Sequence, residues 1–200
     1  MSTPRVLLER YVEAKDLVRP QLMREIYAVD AVLTYSIATD SIDFPRRVAG
    51  IDDITKTLIV DFAAKYSHCK TFYVCELQPR DADKTAILPW LVLMRESALA
   101  RLRIGKGYYE WTFEKRSDGE MQVIAMHIHI AAMDAIEDAD GRLLGAAQAP
   151  LTYPWLRPTV MRSKLGALAE ADPAFAFLRA FAAPVDPAMC GERLPWPGRR

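Results

Sequence analysis

Apolar residues near the N-terminus recur at the spacing of an α-helix. They predict a first helix over residues 4–18, with Leu7, Tyr11, Ala14 and Val18 on its buried side. Pro20 suits the first turn of a second, short helix, where a missing amide proton is not needed. Gly50 precedes a third helix. The apolar stripe of that helix comprises Ile51, Ile54, Leu58, Phe62 and Tyr66.

Strand-like patterns dominate the chain after these helices. A first strand, Ala31–Ile37, is expected between the second and third helices. Four further strand-like runs follow, separated by short polar turns: Thr71–Leu77, Thr85–Ser97, Leu102–Lys115 and Met121–Ala131. Helices followed by successive antiparallel strands predict an α+β fold, in which three N-terminal helices pack on an antiparallel sheet.

The run Ile87–Met94 is apolar at every position, so both faces of its strand are expected to be buried. One face can pack on the helices. For the other face we favour a second copy of the chain, which gives a homodimer through the sheet. The alternative is that residues 135–200 fold back over that face.

The C-terminal segment, residues 135–200, does not continue the strand pattern. Glycine and proline interrupt it, and two short helices are expected there, one over Thr159–Ala171 and one beginning at Asp172-Pro173. We therefore divide the chain into a domain over residues 1–134 and a C-terminal helical extension over residues 135–200. The extension is expected to pack on the same domain or on a dimer partner.

The composition and net charge of the chain limit the partners and the location that we expect for it. The chain has 200 residues, of which 51% are hydrophobic, and its formal net charge is zero. A neutral chain without a basic patch is not expected to bind nucleic acid. Neither a signal peptide nor an apolar run of membrane-spanning length is apparent, which predicts a cytoplasmic protein without a membrane partner. The three cysteines have no metal-like spacing and are expected to be free thiols.

Two of the three histidines, His127 and His129, lie two residues apart on one predicted strand and so project from the same face. A two-residue turn at Asp118-Gly119 would pair Glu110 with His127 and set both histidines opposite the apolar face. A three-residue turn would slip the register by one, pair Tyr109 with His127 and favour pocket-lining histidines. The sequence leaves both registers open.

The His-x-His spacing also occurs among zinc ligands. Such a site would need a third ligand, and only His68 or Glu110 is at hand. We therefore expect no metal. The two histidines are interpreted as pocket-lining groups, or as polar residues on a wet sheet face or at a dimer interface.

The order of these elements resembles the SnoaL-like branch of the nuclear transport factor 2-like superfamily. The motifs that carry the resemblance are YAVDAVLTY, Ser67-His68 at a strand start and GYYEWTFEKRSDG in the hairpin, and it covers about residues 5–133. It implies a cystatin-like α+β cone, in which a strongly curved sheet and the helices enclose an apolar pocket. Members include polyketide cyclases, ketosteroid isomerases, scytalone dehydratases and non-catalytic proteins, so the fold alone predicts no activity.

The resemblance also implies three site residues. Dehydratase-like members carry an aspartate late in the first helix, a tyrosine on the first strand and a histidine at the start of the second, and Asp16, Tyr35 and His68 stand in the matching places. His68 would remove a proton next to a carbonyl, Asp16 would orient the imidazole, and Tyr35 would donate a hydrogen bond to the enolate oxygen. The expected pocket walls are His127, Trp111, Phe113, Phe62, Tyr66 and Tyr11.

Two functions are consistent with these observations. The first is a cofactor-independent dehydratase, isomerase or cyclase that acts on a small oxygenated hydrophobic molecule through His-Asp-Tyr acid–base chemistry. The second is a non-catalytic dimeric protein that binds a small hydrophobic ligand or serves as a scaffold. The second predicts that Asp16 and His68 are not in contact and that side chains fill the cone.

Overall fold

The computed structural model describes residues 2–190 of the chain. Helix α1 (Pro4–Asp16) begins after Thr3, whose side chain caps the first turn. A 3₁₀ turn (Pro20–Leu22) and α2 (Met23–Ile26) follow, as the position of the proline predicts. These elements bury Leu7, Tyr11 and Ala14 of the predicted stripe. Val18 is exposed, because α1 ends at Asp16 and Val18 has a left-handed backbone conformation.

The third predicted helix has three parts. Helix α3 (Ile51–Thr55) continues into a π-helical turn (Lys56–Val60) and then into α4 (Asp61–Ala63). Gly50 precedes it with φ +87°. Glycine adopts this backbone conformation without a steric penalty, so the helix can start sharply after the preceding strand.

Within the described residues, seven strands form one sheet in the order β2-β1-β6-β5-β4-β3-β7. The strands are β1 (Tyr27–Ile37), β2 (Arg47–Ala49), β3 (Tyr66–Val74), β4 (Thr85–Glu96), β5 (Arg101–Lys115), β6 (Met121–Glu137) and β7 (Trp155–Leu156). The strands from β3 to β6 pair antiparallel, as predicted. However, β1 is parallel to β6 and β7 is parallel to β3, so the sheet is mixed. The α+β class is confirmed.

The turn between β5 and β6 has three residues. The Arg116 amide donates to the Glu120 carbonyl (2.8 Å), and the Gly119 amide donates to the Arg116 carbonyl (3.0 Å). Gly119 has φ +85°, which the last position of such a loop requires. Of the two turns that the sequence left open, the three-residue one is therefore present.

A β-bulge nevertheless restores the register that the two-residue turn predicted. Phe113 pairs with Val123, which leaves Ile124 outside the ladder as the extra residue of β6. Beyond the bulge, Glu110 pairs with His127. The two histidines are therefore on the face of the sheet opposite the one that carries Trp111.

The two faces of the sheet pack against different parts of the chain. We call the face that packs on α1–α4 the inner face, and the opposite one the outer face. Alternate residues of β4 follow this division: Trp90 and Val92 belong to the inner core, whereas Leu91 and Leu93 belong to a second core under the C-terminal extension. The apolar run of β4 is therefore covered by this chain itself, and the homodimer stays a prediction.

The extension consists of α5 (Arg142–Gln148), α6 (Pro158–Ala171) and a 3₁₀ helix (Pro173–Phe181). The side chain of Asp172 caps the last of these, as predicted, by accepting a hydrogen bond from the Ala174 amide (2.9 Å). Predicted extension residues beyond 190 lie outside the described part. Between residues 2 and 190, the helices are too short or too polar to cross a membrane.

Gly107 is required by the close approach of two strands. A Cβ atom at this position would lie 1.8 Å from the His129 carbonyl oxygen, whereas one at Gly105 would meet only the flexible end of Met133 at 2.6 Å and the side chain of Val92 at 3.3 Å. We expect Gly107→Ala to lower the free energy of unfolding by about 3 kcal/mol or more, and Gly105→Ala by about 1 kcal/mol. Urea denaturation of both variants measures this; equal losses would contradict the backbone clash.

Candidate functional site

A small cavity lies between the helices and the inner face of the sheet. Its volume is about 50 Å³, and its walls are aromatic and aliphatic except for one lysine. Residues of α1, β1, β4 and β5 contribute, among them Tyr11, Lys15, Tyr35, Trp90 and Tyr109. Around it, the inner core contains buried apolar side chains from α1–α3 and from the sheet.

Lys15 is the charged residue of the cavity wall, and its side chain is 7% exposed. Its ammonium group donates to the hydroxyl of Thr71 (2.8 Å), the thiol of Cys69 (3.2 Å) and the carboxylate of Asp16 (3.2 Å). Burial opposes its charge, but Cys69 and Asp16 outweigh burial and raise the pKa of Lys15 above its ordinary value. Lys15 therefore stays protonated and cannot act as a general base at neutral pH.

Asp16 is fully occupied by hydrogen bonds. Its carboxylate accepts from the Thr71 amide (2.6 Å), the Thr71 hydroxyl (2.9 Å) and the Tyr153 hydroxyl (3.1 Å), besides Lys15. These four donors use the acceptor sites of a carboxylate. Asp16 therefore ties α1 to β3 and to the C-terminal extension, and it has no acceptor left to orient an imidazole.

His68 lies outside this cluster. It sits at an irregularity of β3, where the pairing register with β4 shifts between Ser67 and Lys70, and its φ is +50°. Its side chain is exposed, and its Nδ1 atom contacts the Ser67 hydroxyl at 3.2 Å. The predicted contact between His68 and Asp16 is wrong, because the left-handed residue turns the imidazole away from the core.

Tyr35 lines the cavity, as the sequence predicts, and its ring stacks on Phe44 with a centroid separation of 4.8 Å. Among residues 2–190, the hydroxyls of Tyr11 and Tyr35 and the indole nitrogen of Trp90 are buried in the cavity wall without a hydrogen-bond partner. Burial raises the pKa of Tyr35, so its hydroxyl keeps its proton. The described part of the cavity wall thus carries three buried donors whose hydrogen bonds remain to be made.

The cavity continues outward into a larger cleft, which we call the vestibule. Ile42 and Phe44, from the segment between β1 and β2, line both spaces together with Phe62. The vestibule has a volume of about 400 Å³ and also contains charged residues, including Asp61 and Glu96. Ile42 and Phe44 therefore separate the apolar cavity from a polar entrance.

The remaining predicted wall residues are distributed over the molecule. Tyr11 and Phe62 line the cavity, whereas Tyr66 lines the vestibule. Trp111 and Phe113 belong to the inner core but not to the cavity wall. The prediction that His127 lines the pocket is wrong, because the bulge in β6 sets it on the outer face.

Sequence reasoning missed Lys15, Thr71, Cys69 and Tyr153. Lys15 carried a usable signal, because it follows Leu7 and Tyr11 at four-residue intervals and so falls on the buried stripe of α1. A lysine on such a stripe indicates a buried partner. Burial raises the pKa of Cys69 to about 12, so this thiol is not a nucleophile at neutral pH.

Among residues 2–190, no group of three or more histidine, cysteine, aspartate or glutamate side chains is arranged to hold a metal ion. His127 and His129 contact Thr34 and Ser36 of β1 instead. The third ligand that a His-x-His zinc site needs is therefore missing from the described residues.

Comparison with solved structures identifies similar folds. A nuclear transport factor 2-like superfamily protein from Salmonella enterica serovar Typhimurium superposes with a TM-score of 0.53 at 13% identity, over 64% of this chain and 88% of that one. A putative scytalone dehydratase from Novosphingobium aromaticivorans gives 0.50 at 15%, over 64% and 81%. The protein LinA gives 0.53 at 16%, over 65% and 84%. No family model and no curated protein matches the chain. The predicted fold is confirmed.

The ion pair of Lys15 and Asp16 can be tested as a structural contact. We expect Asp16→Ala to lower the free energy of unfolding by about 3–5 kcal/mol, because it leaves a buried ammonium group without a counter-charge. The double variant Lys15→Met/Asp16→Ala should recover most of this loss, since it removes both charges. Thermal and urea denaturation measure both. A single variant as stable as the original chain would contradict the structural role.

Proposed function

We propose that this chain, which has the nuclear transport factor 2-like fold, binds a small apolar molecule with a hydrogen-bond acceptor oxygen in its inner cavity, without converting it. One observation carries the proposal: the cavity wall has buried donors and no base. Among the described residues, the hydroxyls of Tyr11 and Tyr35 and the indole N–H of Trp90 lack partners, and no histidine or carboxylate lines the cavity.

The donors define the chemistry of the ligand. A buried donor without a hydrogen-bond partner destabilises the protein. A ligand oxygen that accepts its hydrogen bond would recover this loss of free energy. An indole N–H can only donate, and Lys15 has all three ammonium protons engaged. The positive charge of Lys15 also favours a partial negative charge on the ligand. A ketone or a carboxylate oxygen fits these requirements, whereas a pure donor does not.

The volume of the inner cavity limits how a ligand can enter it. An engineered apolar cavity that binds benzene has about 150 Å³, three times the volume available here. A ring-sized ligand therefore requires Phe44 and Ile42 to move toward the vestibule. Both residues belong to a connection between β1 and β2 rather than to the regular sheet, which favours such a displacement.

A catalytic function remains the second candidate. Two structures of similar fold are described as a putative scytalone dehydratase and a hexachlorocyclohexane dehydrochlorinase. For this chain, a dehydratase, isomerase or cyclase would need His68 as its base. The exposed position of His68 and the occupied carboxylate of Asp16 count against that mechanism.

Cyclohexanone and methylenecyclohexane test the proposal, because they share a six-membered ring and differ in one acceptor oxygen. We expect the ketone to bind about fivefold more tightly, the equivalent of one hydrogen bond of about 1 kcal/mol. Tyr35→Phe should reduce this preference, and Phe44→Ala should strengthen the binding of both compounds. Calorimetry and tryptophan fluorescence measure the affinities.

Tyr108→Phe, on the outer face, serves as the matched control and should leave both affinities unchanged. Absence of binding by both the original chain and Phe44→Ala would refute a ligand site in the cone, and equal affinities would refute the role of the acceptor oxygen. Exchange of the ketone α-protons in D₂O separates binding from catalysis. Exchange that the chain accelerates and His68→Ala abolishes would support the catalytic candidate instead.

A further inference from the structure

A chain of hydrogen bonds on the outer face is not used by the proposed ligand site. Thr34 and Ser36 of β1 lie beside His127 and His129 of β6 in the parallel register. The Thr34 hydroxyl contacts His127 Nδ1 at 2.8 Å. The Ser36 hydroxyl contacts both His127 Nε2 at 2.8 Å and His129 Nδ1 at 2.7 Å.

The protons in this chain can be counted. The Ser36 hydroxyl has one proton, so it can donate to only one of the two imidazoles, and the other must donate to its oxygen. If Ser36 donates to His127 Nε2, then His127 Nδ1 carries a proton for the Thr34 hydroxyl, and His129 Nδ1–H donates to the serine oxygen. Every donor then has an acceptor. In this arrangement a base faces the serine proton and a donor faces its oxygen.

We propose that Ser36 is a nucleophilic serine that small activated esters acylate, with His127 as its general base. A nucleophile within hydrogen-bond reach of a base, with the base oriented by a third group, is the arrangement that activates serine hydroxyls. Thr34 is the orienting group here. His129 adds a hydrogen bond that stabilises the developing alkoxide.

The residues around His127 keep its imidazole neutral, so that it can accept the proton of Ser36. Burial lowers the pKa of His127, and burial together with His127 lowers that of His129, so both imidazoles are neutral at pH 7. From the neighbouring strands, Glu110 faces His127, and Tyr108 stacks on His129 at 4.7 Å. Arg47 of β2 is the register partner of Thr34. Ser36 and both histidines are half-buried, so a small reagent can reach them.

The reaction with p-nitrophenyl acetate balances as follows. The Ser36 oxygen forms a bond with the acetyl carbon, and the bond from that carbon to p-nitrophenolate breaks. The hydroxyl proton passes to His127 Nε2 and from there to water or to the released phenolate. One acetyl group remains on Ser36, and no oxidant, reductant or metal is needed.

The experiment treats the full chain with p-nitrophenyl acetate and maps acetylated peptides by mass spectrometry. Ser67 is an internal control, because its hydroxyl contacts a single imidazole, that of His68, at 3.2 Å without an orienting group. We expect Ser36 to be acetylated at least about tenfold faster than Ser67. The rate at Ser36 should fall as the pH decreases below the ordinary histidine pKa of 6.5, since protonation removes the base.

His127→Gln tests the role of the base, because glutamine keeps a hydrogen bond but cannot take up the proton. It should reduce acetylation of Ser36 about tenfold or more, and Thr34→Val should reduce it less. Circular dichroism establishes that each variant is folded; if His127→Gln is not, the pH profile of the original chain tests the base. Acetylation of Ser36 no faster than that of Ser67, or undiminished in folded His127→Gln, would overturn the proposal.

Discussion

The rest of the structure depends on the contacts that the carboxylate of Asp16 makes. It joins the end of α1 to β3 through Thr71, reaches the C-terminal extension through Tyr153, and balances the charge of Lys15 inside the core. A buried ion pair adds little net stability, but either charge alone would be costly to bury. The segments that meet at Asp16 are therefore held in one arrangement, and the inner cavity is built beside it.

The same contact determines what chemistry the cavity can support. A carboxylate with four donors cannot also orient an imidazole, and an ammonium group beside it stays protonated. In the described part of the chain, the polar groups left for a ligand are the hydroxyls of Tyr11 and Tyr35 and the indole N–H of Trp90. The proposed function, binding of an acceptor oxygen without conversion, follows from this distribution of donors. The residues that stabilise the fold at Asp16 therefore also limit the chemistry of the cavity.

The two faces of the sheet carry separate properties because side chains alternate along each strand. On the inner face, the strands contribute aromatic walls, among them Tyr109 and Trp111. On the outer face, the C-terminal extension covers the side of β3 and β4, while β1 and β6 present Ser36 and the two histidines. One extra residue, Ile124 in the bulge of β6, decides which of these faces the histidines occupy.

The sequence by itself determined the α+β class, the N-terminal helices, the last two helical segments and the long strands, because these depend on local periodicity. The place of Tyr35 in the cavity wall followed from the family resemblance, and α5 was not predicted. The turn of three residues and the bulge that offsets it were decided by pairing between β5 and β6. The exposed orientation of His68 depends on its left-handed backbone conformation at a strand irregularity, which arises from the pairing of β3 with β4. The contacts of Asp16 with Thr71 and Tyr153 join residues 55 and 137 positions apart. Only tertiary packing brings such groups together, since periodicity reports which face a side chain occupies and not which distant partner it meets.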